Sequence, residues 1–232
     1  MSTALEHCDV LVIGAGPAGQ KAAVQAAKAG QKTLLVERGK GVGGECVYRG
    51  TIPSKTLRQS AVHLAQVEGS AGRDLVRELG PQTKLESLMS RLSLVLSGAS
   101  EILAEQLERN GVTLWHGHAR FVAQHEIEVT FHDRSKRRVH ARIILIATGS
   151  RPRKPNDIAV DHEAILDSDS ILSLIYLPKS LAVLGGGVIA CEFASVFQTL
   201  GVAVTMIDKG ERPLAFLDHE LTDAFLARFA SQ

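Results

Sequence analysis

Aromatic side chains are scarce in this chain, at 4% of 232 residues, so Ala, Val, Leu and Ile must fill its core. No apolar run approaches the roughly 20 residues that a membrane-spanning helix needs. The N-terminal residues also lack the basic segment followed by an apolar one that marks a signal peptide. The sequence therefore predicts a cytoplasmic protein with no membrane partner.

Neither an excess of charge nor a wealth of cysteine characterises the chain. Its 26 basic and 25 acidic residues leave a net charge of +1, which gives no electrostatic reason to expect nucleic acid. The three cysteines, Cys8, Cys46 and Cys191, are odd in number and far apart, which excludes a disulfide framework. With 45% hydrophobic and 22% charged residues the composition is globular, and at roughly 150 residues per domain the length corresponds to about one and a half domains.

Two segments of the chain resemble each other without a gap. Residues 10–39 read VLVIGAGPAGQKAAVQAAKAGQKTLLVERG, and residues 181–210 read LAVLGGGVIACEFASVFQTLGVAVTMIDKG. Each has a short apolar run, a glycine turn, a stretch of helical length closed by a glycine, and a second apolar run that ends in an acid. This order predicts a βαβ unit twice.

The glycines of each turn have different mechanical roles. In the first copy, Gly14 permits a tight turn off the strand, and Gly16 removes a Cβ where a pyrophosphate approaches the backbone. Gly19 must be small so that helix and strand can pack closely. Phosphates then lie against N–H groups at the positive end of a helix. The corresponding residues of the second copy are Gly185, Gly187 and Ala190.

An acid ends the second strand of each unit. Glu37 and Asp208 each follow the first glycine by 23 residues and can accept hydrogen bonds from ribose hydroxyls. Asp208 favours an unphosphorylated ribose, whereas Lys209 and Arg212 could accommodate a 2′-phosphate. This mixed set fits dual use of NAD and NADP, and it equally fits an ordinary exposed turn. Two dinucleotide sites in one chain indicate hydride transfer between a flavin and a nicotinamide.

The segment between the two copies changes its pattern once. Residues 58–110 are mostly helical in pattern, with breaks near 69–72 and 80–81. Residues 112–147 have a strand pattern, which predicts a small β-meander that returns to the main sheet through the apolar run 143–146.

The ordered motifs GAGPAG, VERG, GGEC, GTIPSK, ATGSRP and GGGVIACE resemble the FAD-dependent pyridine nucleotide–disulfide oxidoreductases over essentially the whole chain. The resemblance implies an α/β fold with two Rossmann-like units, of which the first contains the helical segment and the β-meander. It implies an FAD-binding domain over 1–150 and an NAD(P)-binding domain over 151–232. Chains of this family are about twice as long and end in a dimerisation domain, so we expect a truncated second unit here and homo-oligomers for full-length members.

One position departs from the family's pattern. Disulfide-reducing members carry two cysteines that flank four residues, but here Cys46 is followed by Thr51 at the second position. One sulfur cannot complete a dithiol relay, so the resemblance implies the family's transhydrogenase branch, in which hydride passes from NADPH to FAD and then to NAD⁺. Two alternatives remain open: a non-catalytic nucleotide-binding fragment or subunit, and a dihydrolipoamide dehydrogenase-like enzyme that lacks the redox disulfide.

The resemblance also assigns roles to single residues. Lys55 and Glu192 are expected to form an ion pair beside the reactive ring of the flavin, where a lysine could stabilise negative charge. Cys46 is either a third residue of this catalytic set or an inert packed thiol. His116 and His118 alternate along a strand, but such a pair does not predict a metal site. The expected FAD contacts are Gly14, Gly16, Pro17, Ala18, Gly19, Glu37, Arg38, Gly44, Lys55, Thr148 and Gly149. The expected contacts to the nicotinamide substrates, NAD(H) and NADP(H), are Gly185, Gly187, Val188, Ile189, Asp208 and Lys209.

Overall fold

The computed structural model of the protein describes residues 5–68, 80–153 and 155–230. By their contacts, the described residues fall into two compact units. The first comprises the described residues of 1–52 and 94–153, and the second comprises those of 53–93 and 154–232.

The first unit is built on five strands whose hydrogen-bonded pairing closes on itself. The strands are β1 (Glu6–Ile13), β2 (Thr33–Glu37), β3 (Thr113–Ala123), β4 (Glu126–Phe131) and β5 (Lys136–Ile146). β1 is parallel to β2 and β5, and β2 is parallel to β3. β4 is antiparallel to both β3 and β5, so these two long strands pass from the parallel sheet into the predicted β-meander. The predicted return to the main sheet is confirmed, since Ile143 and Ile146 lie opposite Val10 and Ile13.

In the ranges that the structure describes, four helices precede β3. They are α1 (Pro17–Lys28), α2 (Gly44–Tyr48), α3 (Thr51–Glu68) and α4 (Pro81–Arg109). α1 connects β1 to the parallel β2, which is the βαβ connection predicted for the first copy. The predicted helix break at residues 80–81 is confirmed by the start of α4, whereas the one near residues 69–72 lies outside the described residues.

Aliphatic side chains fill the core on both faces of the sheet. Along a strand, alternate residues point to opposite faces. Val10 and Val12 therefore pack with helix residues such as Ala23, while Leu11 packs with Ile127 of the β-meander. Leu11 is fully buried, and burial of a side chain of this size stabilises a protein by about 1.5–3 kcal/mol.

The described part of the second unit contains a two-stranded parallel sheet. Its elements after residue 154 are a 3₁₀ turn (Ser170–Ser173), β6 (Ser180–Leu184), α5 (Val188–Thr199), β7 (Ala203–Ile207) and α6 (His219–Ala230). α5 connects β6 to the parallel β7, as predicted for the second copy. Phe193 and Phe197 of α5 are buried against Ile171 and Leu174. No helix in the described ranges is both long enough and apolar enough to cross a bilayer.

Candidate functional site

A cleft of about 820 Å³ lies at the carboxyl ends of three parallel strands of the first unit. Ile13 ends β1, Glu37 ends β2, and Ala147 directly follows β5; all three line the cleft. In α/β folds with parallel strands, ligands bind outside the carboxyl ends of those strands, and cofactor pockets commonly enclose about 300–1,000 Å³. Every residue that lines the cleft belongs to the first unit.

The first glycine turn forms one wall of this cleft. Gly14 has φ +105°, and a Cβ built on it would lie 2.3 Å from the carbonyl oxygen of Ala147. A Cβ at Gly19 would lie 1.8 Å from the carbonyl oxygen of Gly14. The turn and the first turn of α1 are therefore packed so closely that neither position has room for a side chain.

Glu37 fixes the turn to the end of β2. Its Oε2 accepts a hydrogen bond of 2.7 Å from the N–H of Ala15, and its Oε1 accepts one of 2.7 Å from the N–H of Gly39. A carboxylate oxygen has two acceptor sites. Glu37 can therefore hold the turn and still accept a hydrogen bond from a ligand hydroxyl in the cleft.

A second glycine segment packs against the first one. The N–H of Gly43 donates to the carbonyl of Ala15 at 2.9 Å. Gly44 has φ +58°, and a Cβ there would lie 2.7 Å from the Cα of Gly16. The resemblance implies that Gly44 contacts FAD. The structure adds that Gly44 lets two backbone segments approach each other.

Sequence reasoning missed the wall that α4 contributes. Tyr48 donates its hydroxyl hydrogen to Ser100 Oγ at 2.7 Å, and the N–H of Val42 donates to the same oxygen at 3.0 Å. Ser100 lies more than fifty residues beyond either partner, and a serine within a helical pattern gives no signal of such a contact. The other lining residues that were not predicted include Lys40, Glu45, Arg49, Ser97, Glu101, Gly117, His118, Ala119 and Ser150.

Most of the predicted FAD contacts are brought together by the cleft. Gly19 lies beneath the glycine turn instead of in the lining, and Lys55 belongs to the second unit. Cys46, on α2, lines the cleft. The predicted FAD contacts that line it are Gly14, Gly16, Pro17, Ala18, Glu37, Arg38, Gly44, Thr148 and Gly149.

Two polar contacts join α3 to α5 within the second unit. Lys55 Nζ donates to Glu192 Oε1, which is the ion pair that the resemblance implies. One helical turn further on, Arg58 Nη1 donates to Ser195 Oγ at 2.6 Å. The Lys55 side chain is 61% exposed. The Glu192 side chain is only 16% exposed, so a largely buried carboxylate holds an ammonium group that solvent can reach.

The second glycine turn repeats the geometry of the first. The N–H of Gly185 donates to the carbonyl of Ile207 at 2.8 Å, as the N–H of Gly14 donates to that of Val36 at 2.8 Å. Gly185 also has a positive φ, +113°. The side chains of the first helical turn, Val188 and Ile189, are both 58% exposed, and Gly187 precedes them as the N-cap.

Asp208 lies directly beside this turn. A Cβ on Gly186 would lie 2.5 Å from Asp208 Oδ2, and the N–H of Lys209 donates to Asp208 Oδ1 at 2.9 Å. Arg212, which the sequence offers as a 2′-phosphate ligand, is paired with α6: its Nη2 donates to Asp223 Oδ1 at 2.7 Å. Its Nη1 lies 2.6 Å from His219 Nδ1.

The surroundings of two of the three cysteines raise the pKa of their thiols. Burial raises the pKa of the Cys8 thiol to about 11. Burial, with the nearby charge of Asp208, also raises the pKa of the Cys191 thiol. The reactive form of cysteine is the thiolate, so a raised pKa makes these two thiols less reactive. His116 Nδ1 donates to the carbonyl oxygen of Gly39 at 2.9 Å, and the described residues contain no group of three potential metal ligands.

Comparison with known proteins decides the family. The model of a family described as pyridine nucleotide-disulphide oxidoreductase matches residues 8–232. The chain belongs to this family. Family membership implies binding of FAD and a nicotinamide nucleotide. The described cleft fits a dinucleotide, because Gly16 and Gly44 leave its wall without side chains beside the first turn of α1.

The curated relatives include proteins named soluble pyridine nucleotide transhydrogenase. That of Mycobacterium bovis is 42% identical over 221 residues, which cover 95% of this chain and 47% of the relative. That of Hahella chejuensis is 41% identical over 223 residues, which cover 93% and 46%. The chain spans about half the length of the curated relatives it matches.

Two solved structures have the same fold as this chain. The HOCl-induced flavoprotein disulfide reductase RclA from Escherichia coli matches with a TM-score of 0.80 at 27% identity, over 96% of this chain and 47% of its own. LpdA from Mycobacterium tuberculosis matches with a TM-score of 0.84 at 27% identity, over 96% and 50%. The chain thus has the α/β fold of a pyridine nucleotide-disulphide oxidoreductase over nearly its whole length.

Proposed function

We propose that this chain is the FAD- and nicotinamide-binding portion of a soluble, Si-specific pyridine nucleotide transhydrogenase. The overall reaction would be NADPH + NAD⁺ → NADP⁺ + NADH, with hydride carried through FAD. The observation that carries the proposal is the cleft, in which the glycine turn, Glu37 and residues after β5 meet at the carboxyl ends of parallel strands. The longer relatives are named soluble pyridine nucleotide transhydrogenase, and the proposed activity is that of the whole protein.

The first Rossmann-like unit, proposed as residues 1–150, would hold FAD. The glycine turn presents backbone N–H groups at the positive end of α1, where a pyrophosphate is stabilised. Glu37 would accept hydrogen bonds from the ribose hydroxyls, and Thr148 and Gly149 would approach the cofactor from the end of β5. When bound, FAD would supply a ring that accepts hydride from one nicotinamide and donates it to another.

The second Rossmann-like unit, proposed as residues 151–232, would hold the nicotinamide nucleotide. Gly185 and Gly187 form a turn with the geometry of the first copy, and Asp208 lies beside it as a ribose acceptor. Val188, Ile189 and Lys209 would complete the contacts.

The pair formed by Lys55 and Glu192 would act on the flavin. Glu192 holds the lysine ammonium in one place, and a fixed cation can stabilise negative charge that develops on a reduced flavin. Cys46 lines the FAD cleft, but Thr51 provides no second sulfur, and a dithiol relay needs two. This difference favours transfer between nicotinamides over reduction of a disulfide. The same assignment includes a cytoplasmic location for the protein and a homo-oligomer for full-length members of the family.

One experiment separates this function from its alternatives. The purified chain, and a full-length relative named soluble pyridine nucleotide transhydrogenase for comparison, would be examined for flavin absorbance and for NADPH-dependent reduction of thio-NAD⁺. We expect bound flavin and transfer to thio-NAD⁺, without reduction of lipoamide. A Thr51→Cys variant provides the control for disulfide chemistry, because it restores a second sulfur at the family's spacing.

Two results would contradict the assignment in different ways. Protein that stays colourless with added FAD would identify a fragment or subunit that does not bind flavin. Yellow protein that reduces lipoamide but not thio-NAD⁺ would instead identify a dihydrolipoamide dehydrogenase-like enzyme.

A further inference from the structure

The loop after β7 places the backbone of Arg212 close to the second glycine turn, whereas α6 binds the Arg212 guanidinium. The N–H of Leu214 donates to the carbonyl of Gly186 at 2.7 Å. A Cβ on Gly210 would lie 3.3 Å from Asp208 Oδ2 and 3.6 Å from the carbonyl oxygen of Arg212. The backbone of Arg212 is therefore a neighbour of the acid at which the ribose would bind.

The guanidinium of Arg212 is held by α6. Nη2 donates to Asp223 Oδ1 at 2.7 Å, and Nη1 lies 2.6 Å from His219 Nδ1. A guanidinium has donors and no acceptor, so His219 must present an unprotonated Nδ1 as the acceptor. The side chain of Arg212 is only 29% exposed in this arrangement. Two separate contacts thus keep its charge on α6.

We infer that Asp223 is a specificity-determining residue, which holds Arg212 away from the nucleotide and makes the second site favour NAD(H) over NADP(H). The inference rests on the proposed function. A 2′-phosphate would need a cation close to the ribose, and Arg is the residue that suits phosphate best. While Asp223 neutralises that Arg, a 2′-phosphate meets the carboxylate of Asp208 instead. The site then discriminates against a 2′-phosphate in two ways: Arg212 is not available to attract it, and Asp208 repels it.

The pairing of Arg212 with Asp223 limits the recognition of both NAD and NADP that the sequence allows. Of the two basic residues after Asp208, Lys209 remains on the same turn, and Arg212 is engaged by Asp223. A nucleotide with a 2′-phosphate would have to compete with Asp223 for Arg212. Removal of the Asp223 charge should therefore strengthen binding of 2′-phosphorylated nucleotides selectively.

The test compares two ligands that differ only in the 2′-phosphate. Isothermal titration calorimetry would measure binding of 5′-AMP and of adenosine 2′,5′-bisphosphate to the chain and to its Asp223→Asn variant. We expect the ratio of the two dissociation constants to shift toward the bisphosphate by about tenfold, the size of one charge-assisted hydrogen bond. A double variant, Asp223→Asn with Arg212→Gln, should lose this gain.

The matched control is Glu220→Gln, which removes one negative charge from the same helix. Asp223→Ser serves as a second variant, and far-UV circular dichroism reports whether each protein is folded. An unchanged ratio in both Asp223 variants would overturn the inference, and so would an equal gain in Glu220→Gln or a gain that persists in the double variant. Absence of binding for both ligands in every protein would overturn the proposed nucleotide site together with it.

Discussion

At the scale of single residues, one methyl group tests how tightly the first glycine turn is packed. A Cβ at Gly19 would lie 1.8 Å from the backbone carbonyl oxygen of Gly14, which cannot move without shifting the turn. We expect Gly19→Ala to lower the free energy of unfolding by at least about 1–3 kcal/mol, the usual cost of overpacking. It should also weaken FAD binding. Urea denaturation followed by the fluorescence of Trp115 measures the first effect.

Gly98 provides the matched control for this substitution. It lies within α4, and a Cβ there would meet no heavy atom within 4 Å. Since Ala is favoured over Gly in a helix by up to about 1 kcal/mol, Gly98→Ala should be neutral or stabilising. Equal effects of the two substitutions would show that the close contact beneath the turn is absent in solution.

The same scale shows why part of the site was predictable. Gly14, Gly16 and Glu37 lie within one βαβ unit, where their spacing reflects local geometry, and the structure brings all three to one cleft. Ser100 on α4 and His118 on β3 also line that cleft, and no local sequence pattern predicts that they do. Arg212 shows the reverse case. Its position in the sequence suggests a phosphate ligand, but its guanidinium forms an ion pair with Asp223 on the next helix.

At the scale of elements, the β-meander contains one carboxylate surrounded by three cations. Glu128 on β4 is 7% exposed, and Arg120 Nη2 and Lys136 Nζ donate to its Oε1 at 2.9 and 3.1 Å. Arg138 Nε lies 3.6 Å from its Oε2. Hydrogen bonds from Arg120 and Lys136 lower the pKa of Glu128 from 4.5 to about 2.

This shift predicts a pH dependence of stability. A carboxyl group with a lower pKa in the folded chain contributes stability above its unfolded value, and the contribution is lost as the pH falls toward the folded value. We expect Glu128→Gln to remove the part of the acid destabilisation that Glu128 causes between about pH 4.5 and 2. Urea denaturation at a series of pH values measures the difference between variant and parent.

Glu126 is the control for that experiment, because it lies on the same strand and faces His140 on β5. Glu126→Gln should leave most of the acid destabilisation in place. Added salt should reduce the difference between the parent and Glu128→Gln, since the three cationic side chains are more than half exposed. If the two variants have the same pH profile, the charge cluster does not stabilise the meander.

Elements were easier to predict than their assembly. Alternating and helical patterns indicate the strands, the glycine-closed helices and the meander, and these are where the structure has them. The closure of the five strands depends on β4 pairing with both β3 and β5 while those strands also belong to the parallel sheet. Such pairing between distant strands depends on tertiary contacts that a periodicity does not contain.

At the scale of the whole molecule, the single tryptophan reports on the unit that is proposed to bind FAD. Trp115 is 8% exposed, and it lies on β3 opposite Val36, which lines the cleft. A ligand that binds only the folded state stabilises it by RT ln(1 + [L]/Kd), about 2.7 kcal/mol at a concentration of 100 Kd. FAD at such a concentration should therefore raise the urea midpoint of the Trp115 transition.

The matched ligand is NAD⁺, which shares the adenosine and pyrophosphate of FAD but is proposed to bind beside Gly185 and Asp208. Because Trp115 and every residue lining the cleft belong to the same unit, we expect NAD⁺ to shift the Trp115 transition less than FAD does. Glu37→Gln should reduce the shift of the urea midpoint that FAD causes. The amide would place an N–H donor against one of the two backbone N–H groups from which Glu37 now accepts a hydrogen bond. A larger shift with NAD⁺ than with FAD would exchange the proposed roles of the two glycine turns, because the cleft beside Trp115 would then be the nicotinamide site.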